Sequence, residues 1–443
     1  MKQEKKKGCW ICENMKDFHM PESIVESAKR GDLILFAGAG VSTEAKGLLP
    51  TTLYETIRHE IGEKNTNISF SKLMSKYCKT PNGKIKLIKQ IKDRLNYINS
   101  FPELKRMACR FHRELSTIYS IKEIVTTNWD DYFEEVCGCT PQVTSEDFAL
   151  SNSEERKVYK IHGSINNYGS IIATYEDYKK CYKNFHKNLI GSKLKLLLSS
   201  TEKVVVFIGY SLYDEDFNWL WKFLKRELGE LLPHYYVVTL DDNIKDRLSG
   251  ERIIPIITDA TYFISKLKDI LIKEDFMISD DIYLYAQKQL DFVKGVHDAI
   301  SKVSLHTMPD LIYTLMYQDG LIHCYERAIA LKKIGYYSNM ENILLSIKGY
   351  KDLLYKYKEK EIYTDVAYIE GYLNGLISLR AYQDDIMPPL FYLFDYTDDI
   401  YTFNEYKEKR EDFIDKYDKA WNFAKRFVSE HKENIVIHHK PYL

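Results

Sequence analysis

The segment Leu33-Ile34-Leu35-Phe36-Ala37-Gly38-Ala39-Gly40-Val41-Ser42 runs from an uncharged apolar stretch straight into a glycine turn. A strand apolar on both faces belongs inside a sheet that is covered on both sides, as parallel sheets are. Outward from this segment the same kind of run recurs at 123–127 (EIVTT), 157–163 (KVYKIHG), 203–210 (KVVVFIGY), 235–240 (YYVVTL) and 252–257 (RIIPII). Helix-periodic stretches at 84–97, 104–119, 187–199 and 214–231 lie between them. Apolar strands alternating with helices predict an α/β domain over residues 31–273, a Rossmann-like, doubly wound parallel sheet. Such sheets bind ligands beyond the carboxyl ends of their strands.

Past residue 273 the pattern changes. Leu, Ile, Tyr and Phe recur at helical spacing among Lys, Glu and Asp over 282–302, 322–333, 339–357 and 406–430, which predicts an all-helical domain over 274–443. No repeat period stands out, and the tyrosines suit helices packing on one another. Residues 1–30 are expected as an N-terminal tether segment.

Hydrophobic residues make up 45% and charged residues 29%, an ordinary globular balance far from the signature of disorder. Lys plus Arg (63) nearly equals Asp plus Glu (64), so no global field draws the chain to nucleic acid or an anionic membrane, and direct nucleic-acid binding is not indicated. The opening MKQEKKKGCWICENMKDFHM lacks the apolar core of a signal peptide. No uncharged apolar run nears the roughly 20 residues of a membrane span. A cytoplasmic protein without disulfides is therefore expected, its eight cysteines reduced.

The turn Gly38-Ala39-Gly40-Val41-Ser42 can bring backbone amides close to a pyrophosphate at a helix start. It can equally be a structural tight turn, because Thr43 stands where a dinucleotide fingerprint has its third glycine. At the end of the second run stands Thr126-Thr127-Asn128-Trp129-Asp130, where Asn128 and Asp130 either face a crevice or cap the following helix. His162-Gly163 ends the third run, either as a reactive imidazole or as a histidine satisfied locally. Gly209-Tyr210-Ser211 ends the fourth, ahead of Asp214.

Glycine turn, TTNWD, HG and GYS, in this order and each after a strand, resemble the catalytic domain of the sirtuins, and more closely its bacterial antiphage-defence branch. The resemblance covers about residues 31–262 and implies NAD as substrate. By similarity, Gly38, Ala39, Gly40 and Ser42, with Val41 between them, would cradle the NAD phosphates. Gly209 and Ser211, flanking Tyr210, would hold the adenosine side. Asn128 would orient the nicotinamide ribose or a water, Asp130 would meet the carboxamide, and His162 would be the general base. Nicotinamide leaves as a neutral molecule, so the site needs positioning and charge stabilisation rather than an acid, and an imidazole ordinarily titrates close to neutral pH.

Two departures bear on the reaction. Protein-deacylating sirtuins carry two CxxC pairs between the HG and GxS motifs, whereas this interval holds only Cys181. They also carry an arginine-containing loop soon after the glycine turn, which LLPTTLYETIR, ending in Arg58, does not match. Water then becomes the expected acceptor, giving NAD hydrolysis to ADP-ribose and nicotinamide in a triggered effector that depletes NAD. The alternatives are a protein deacylase or ADP-ribosyltransferase, and an idle NAD or ADP-ribose sensor. Cys9-x-x-Cys12 has half a zinc spacing, but its completion would need Cys137, Cys139 or a histidine, so no metal is expected. His438-His439 reads as solvated tail. The helical half is expected to hold a homo-oligomer, with a HerA-type hexameric ATPase or another defence protein as separate activator.

Overall fold

The apolar runs become strands of one sheet: β1 (Leu33–Ala37), β2 (Glu123–Thr126), β3 (Thr140–Gln142), β4 (Lys157–Lys160), β5 (Val204–Ile208), β6 (Tyr235–Thr239) and β7 (Ile253–Ile257). Their order is β3-β4-β2-β1-β5-β6-β7, with every pairing parallel. This computed structural model describes residues 13–45, 47–150, 154–184, 187, 189–210, 215–231, 233–244, 248, 252–395, 400–430 and 437–442; Cys9, Cys12, Ser211 and Asp214 lie outside them. The chain divides into two units, Met1–Phe276 and Met277–Leu443.

From the central β1, fully buried along its length, the chain winds through β2, β3 and β4 to one side and then through β5, β6 and β7 to the other. The winding reverses between β1 and β5, which is where such a sheet opens its binding crevice. Register then decides what reaches that crevice. Ala37 lies opposite both Thr126 and Ile208, and Thr126 lies opposite Lys160, so the residues that follow each of them emerge along a single sheet edge. The glycine turn, TTNWD, HG and GYS are exactly these continuations in sequence, apart from the undescribed Ser211. β3 falls outside the predicted runs because it is a three-residue edge strand containing Pro141, and β7 at the opposite edge tolerates Pro255 for the same reason.

Helices cover both faces of the sheet. Leu194, Leu197, Leu220 and Leu224 pack on Ile34, Phe36, Val205 and Phe207. A second cluster is built from the helices Leu53–Glu60, Phe70–Cys78 and Gly83–Ser100 through Ile57, Leu73, Leu87 and Ile91. The described part of the expected 1–30 tether is built into this unit. The helix Glu22–Arg30 buries Ile24, Val25 and Ala28, while the Asn14 and Lys16 carbonyls accept from Asp259 N and Thr258 Oγ1 at 3.1 and 2.7 Å.

The second unit is helical. The helix Leu311–Ala330 is buried on nearly every side and crosses the helix Tyr363–Arg380 with backbones touching: a Cβ on Gly371 would sit 1.9 Å from the Tyr317 carbonyl oxygen, and one on Gly320 2.1 Å from that of Tyr368. Tyr313, Tyr317, Tyr325, Tyr337, Tyr368, Tyr392 and Tyr406 are core residues here. Two of these buried hydroxyls are held by neighbours, Tyr313 donating to the Ala420 carbonyl (2.7 Å) and Tyr325 pairing with Ser378 (2.7 Å). The apolar and aromatic surplus of this half is thus largely absorbed inside the unit. Among the described residues no helix is long and apolar enough to cross a membrane.

Candidate active site

The carboxyl edge of the sheet opens into a cavity of about 680 Å³, lined by Gly38, Ala39 and Gly40 after β1, by Thr127 to Asp130 after β2, by His162 after β4 and by Gly209 and Tyr210 after β5. That size is ordinary for a site holding a cofactor-sized ligand. Of the described motif residues, Gly38, Ala39, Gly40, Thr127, Asn128, Trp129, Asp130, His162, Gly209 and Tyr210 therefore meet at one place, whereas Val41, Ser42, Thr126 and Gly163 do not line it.

The floor is a contact between two glycine turns. Gly38 N donates to the Ile208 carbonyl (2.9 Å) and Gly40 N to that of Gly209 (3.0 Å). A Cβ on Gly38 would lie 2.5 Å from the Gly209 oxygen, and Gly209 sits at φ +62°, where its own Cβ would strike Val41 Cγ1 at 2.5 Å. These glycines are needed for close packing of backbone on backbone. The amides of Gly38, Gly40, Val41 and Ser42 are all held by carbonyls of the protein, so what Gly38, Ala39 and Gly40 present to the cavity is a smooth wall with no side chain larger than the Ala39 methyl.

Val41 and Ser42 stand behind that wall. Val41 is buried against Gly209, and Ser42 is fully buried and acts as a bridge. Its hydroxyl donates to Asp130 Oδ2 (2.8 Å) and accepts from Asn128 Nδ2 (3.1 Å). Asn128 Nδ2 also donates to the Gly38 carbonyl (3.2 Å). Because a carbonyl only accepts, the amide group facing Gly38 must be the NH2, which fixes the flip of Asn128. Its other end, Oδ1, is buried and has no protein partner. Thr126 prepares this arrangement: its hydroxyl donates to the Ala37 carbonyl (2.9 Å) and accepts from Asn128 N (3.1 Å).

Asp130 lines the cavity, yet both its oxygens are occupied, Oδ2 by Ser42 and Oδ1 by the Tyr132 amide (3.3 Å). Burial pushes its carboxyl pKa up, opposed by the nearby Lys160 charge and the Ser42 hydrogen bond. Lys160, absent from the sequence-derived set, has a wholly buried amino group that donates to the Asp130 carbonyl and to Glu134 Oε1 (2.7 Å). It ties the end of β4 to the TTNWD loop.

His162 is buried at the cavity wall, its ring edge-on to Tyr178 at 4.8 Å. Two bonds fix its backbone: Trp129 Nε1 donates to its carbonyl (3.1 Å), as does Ile172 N (3.0 Å). Gly163 at φ +85° lets the chain turn away, since a Cβ there would lie 2.2 Å from the Ser170 oxygen.

The opposite wall was not legible in the sequence. Arg94, from the helix Gly83–Ser100, reaches the cavity, pairs with Glu44 at 2.9 Å and donates to the Thr51 carbonyl (2.8 Å). Burial raises the Glu44 pKa, with Arg94 acting against it. Arg94 stands far along the sequence from the glycine turn, and no local motif marks it. Phe70 and Trp129, with ring centroids 6.2 Å apart, add an aromatic face.

Away from this cavity, the six described cysteines form no disulfide with one another; Cys137 donates to the His112 carbonyl (3.2 Å), and burial drives the Cys139 pKa well up, so both thiols are core groups. The expectation of a solvated tail at His438-His439 is corrected. The His439 ring stacks on Tyr368 at 4.0 Å, and its amide donates to Asp319 Oδ2 (2.6 Å), because this segment packs against buried polar groups of the helical unit.

With this geometry in view, residues 122–257 match the SIR2-like domain family. The chain is 26% identical over 235 residues to a protein named NAD(+) hydrolase ThsA from Enterococcus faecium, spanning 50% of this chain and 46% of that protein. It is 28% identical over 213 residues to the NAD(+) hydrolase ThsA of Cytobacillus dafuensis, 46% of this chain and 40% of the other. With Defense-associated sirtuin 2 of Bacillus subtilis it shares 22% identity over 216 residues, 46% of this chain and 20% of that protein. The matched region spans less than half the length of each of these relatives.

Proposed function

We propose that the α/β unit binds NAD in this cavity and hydrolyses it to ADP-ribose and nicotinamide. The observation that carries the reading is the Asn128 amide, fixed by Gly38 and Ser42, with its oxygen left unsatisfied in a cavity that also holds His162. An amide oxygen held in this way is already oriented to accept from a ribose hydroxyl or a water that the bound ligand brings to it, and such preorganisation is where electrostatic catalysis draws its effect. The bond from the nicotinamide nitrogen to the ribose C1′ breaks, its electron pair going to the nitrogen. Water then adds to the positively charged ribose carbon from the opposite side, and His162 takes the proton that water loses.

Gly38, Ala39 and Gly40 offer a wall that the NAD phosphates can approach, and Arg94 supplies the neighbouring positive charge. Gly209, Tyr210 and Ser211 take the adenosine side. Val41 and Ser42 contribute from behind the wall. Asp130 acts first through Ser42, as a positioning residue, and can meet the carboxamide only through the lone pairs its present partners leave. The name Defense-associated sirtuin 2 supports a place in defence. Our reading adds that the enzyme is silent until triggered by a separate activator protein and that the helical unit serves assembly or control.

Incubating the full-length protein with NAD, alone and with extract of infected cells to supply the trigger, and separating the products tests the reading. Nicotinamide and ADP-ribose in equal amounts are expected without any acyl-peptide present. Product formation that requires an acylated peptide, or nicotinamide without free ADP-ribose, would replace hydrolysis by group transfer.

A further inference from the structure

Four of the chain's 12 histidines, His297, His323, His438 and His439, gather where the segment 437–442 lies on the helices Asp281–Ile300, Leu311–Ala330 and Tyr363–Arg380 of the helical unit. Asp319 stands at the centre. We propose that His297, Asp319 and His438 form a binding site for a divalent late first-row metal ion, zinc foremost, that clasps the 437–442 segment to the helical unit. This inference is independent of the NAD reading.

The donor geometry comes first. Asp319 Oδ1 lies 3.2 Å from His438 Nδ1 and 3.9 Å from His297 Nε2, and the three donor atoms all fall within 4.8 Å of one another. Zinc bonded at about 2.0–2.2 Å to nitrogen and carboxylate oxygen needs donors roughly 3–4 Å apart. The remaining closure is small, and it falls on His438, whose side chain is half exposed. Two imidazoles and one carboxylate form a three-ligand set with room for a water, and imidazole favours zinc, copper and nickel over magnesium or calcium.

Burial supplies the second observation. His297 is 4% and Asp319 3% exposed, and neither ring nitrogen of His297 reaches a hydrogen-bond partner. The 3.9 Å to Asp319 is too long for a hydrogen bond. An imidazole buried with its polar atoms unused is costly, and a metal at Nε2 removes the cost.

The surroundings are those of a built site. Asp319 Oδ2 is anchored by the His439 amide at 2.6 Å, which leaves Oδ1 to face the two rings. Gln318, beside His297, has a buried amide oxygen with no partner, the acceptor that a metal-bound histidine uses for its remaining N–H. The half-exposed His438 leaves an entry path for the ion.

The test uses the full-length protein with Cys9→Ser and Cys12→Ser, which removes the other candidate thiol ligands, and zinc chloride as the probe. Calorimetric titration is expected to give one zinc per chain, with no comparable binding of magnesium. Cobalt substituted for zinc should give a visible spectrum without the thiolate charge-transfer band. His438→Ala lies at a half-exposed position and should leave the protein folded, yet weaken zinc at least about tenfold, with the zinc-induced rise in melting temperature lost. Asp319→Asn and His297→Ala should do the same. Zinc binding unchanged in folded His438→Ala, or no zinc bound by the folded parent, would overturn the proposal.

Discussion

Ser42 shows how a residue expected at a ligand can work one step behind it. Its hydroxyl bridges Asn128 and Asp130, so Ser42→Ala should leave the buried Asp130 Oδ2 without its donor and the Asn128 amide held from one side. The expected cost is about 1–3 kcal/mol of stability, the scale of a buried unsatisfied group. Nicotinamide release should slow about 10- to 100-fold, the scale of lost orientation; an unaffected rate would show that Asn128 does not depend on this bridge. Asp130 gives a pH signature. Burial raises its folded pKa above the unfolded value of about 3.9, so its contribution favours folding below that value and is lost as pH rises through the folded pKa. Asp130→Asn should therefore melt at or above the parent near neutral pH, with the advantage shrinking towards about pH 4. Melting curves of both proteins across that range check it, and a variant that melts below the parent near neutral pH would contradict it. Sequence made Asn128, Asp130 and His162 visible because each ends a strand. Arg94 and Lys160 were invisible because each reaches the site from an element whose own pattern is ordinary.

At the scale of elements, a strand apolar on both faces is easy to read and a helix buried on all sides is not. β1, β5 and β6 stand out as apolar runs, whereas the helix Tyr363–Arg380 went unrecognised and Leu311–Ala330 was seen only in its last part. Both are apolar around most of their circumference, so the one-sided period that marks a surface helix is missing. Their close crossing makes a pair of opposite predictions. Gly371→Ala places a methyl 1.9 Å from the Tyr317 oxygen and should destabilise the helical unit by at least about 1–3 kcal/mol. Gly349→Ala, on the helix Met340–Glu359 with nothing within 4 Å of its Cβ, should stabilise by up to about 1 kcal/mol through helix propensity alone. Denaturant titration of the two variants measures both signs, and a neutral Gly371→Ala would contradict the backbone contact.

At the scale of the whole molecule, each unit has apolar clusters of its own: those around Phe36 and Ile57 in the first, and the tyrosine-rich cluster around Tyr317 in the second. Each unit therefore carries its own means of folding, and a chain ending at Phe276 should stay soluble and bind NAD. If the helical unit assembles the protein, light scattering will show the truncated chain smaller than one full-length subunit's share of a larger particle; a full-length monomer at micromolar concentration would assign that unit to a different partner. The central claim, however, concerns the cavity. The most direct test is the rate of nicotinamide release from NAD by the triggered, full-length protein beside that of His162→Ala, with circular dichroism confirming the fold of both. The account predicts a loss of about 10²- to 10⁴-fold in the variant, as for a missing general base, whereas turnover at the parent's rate by folded His162→Ala would contradict it.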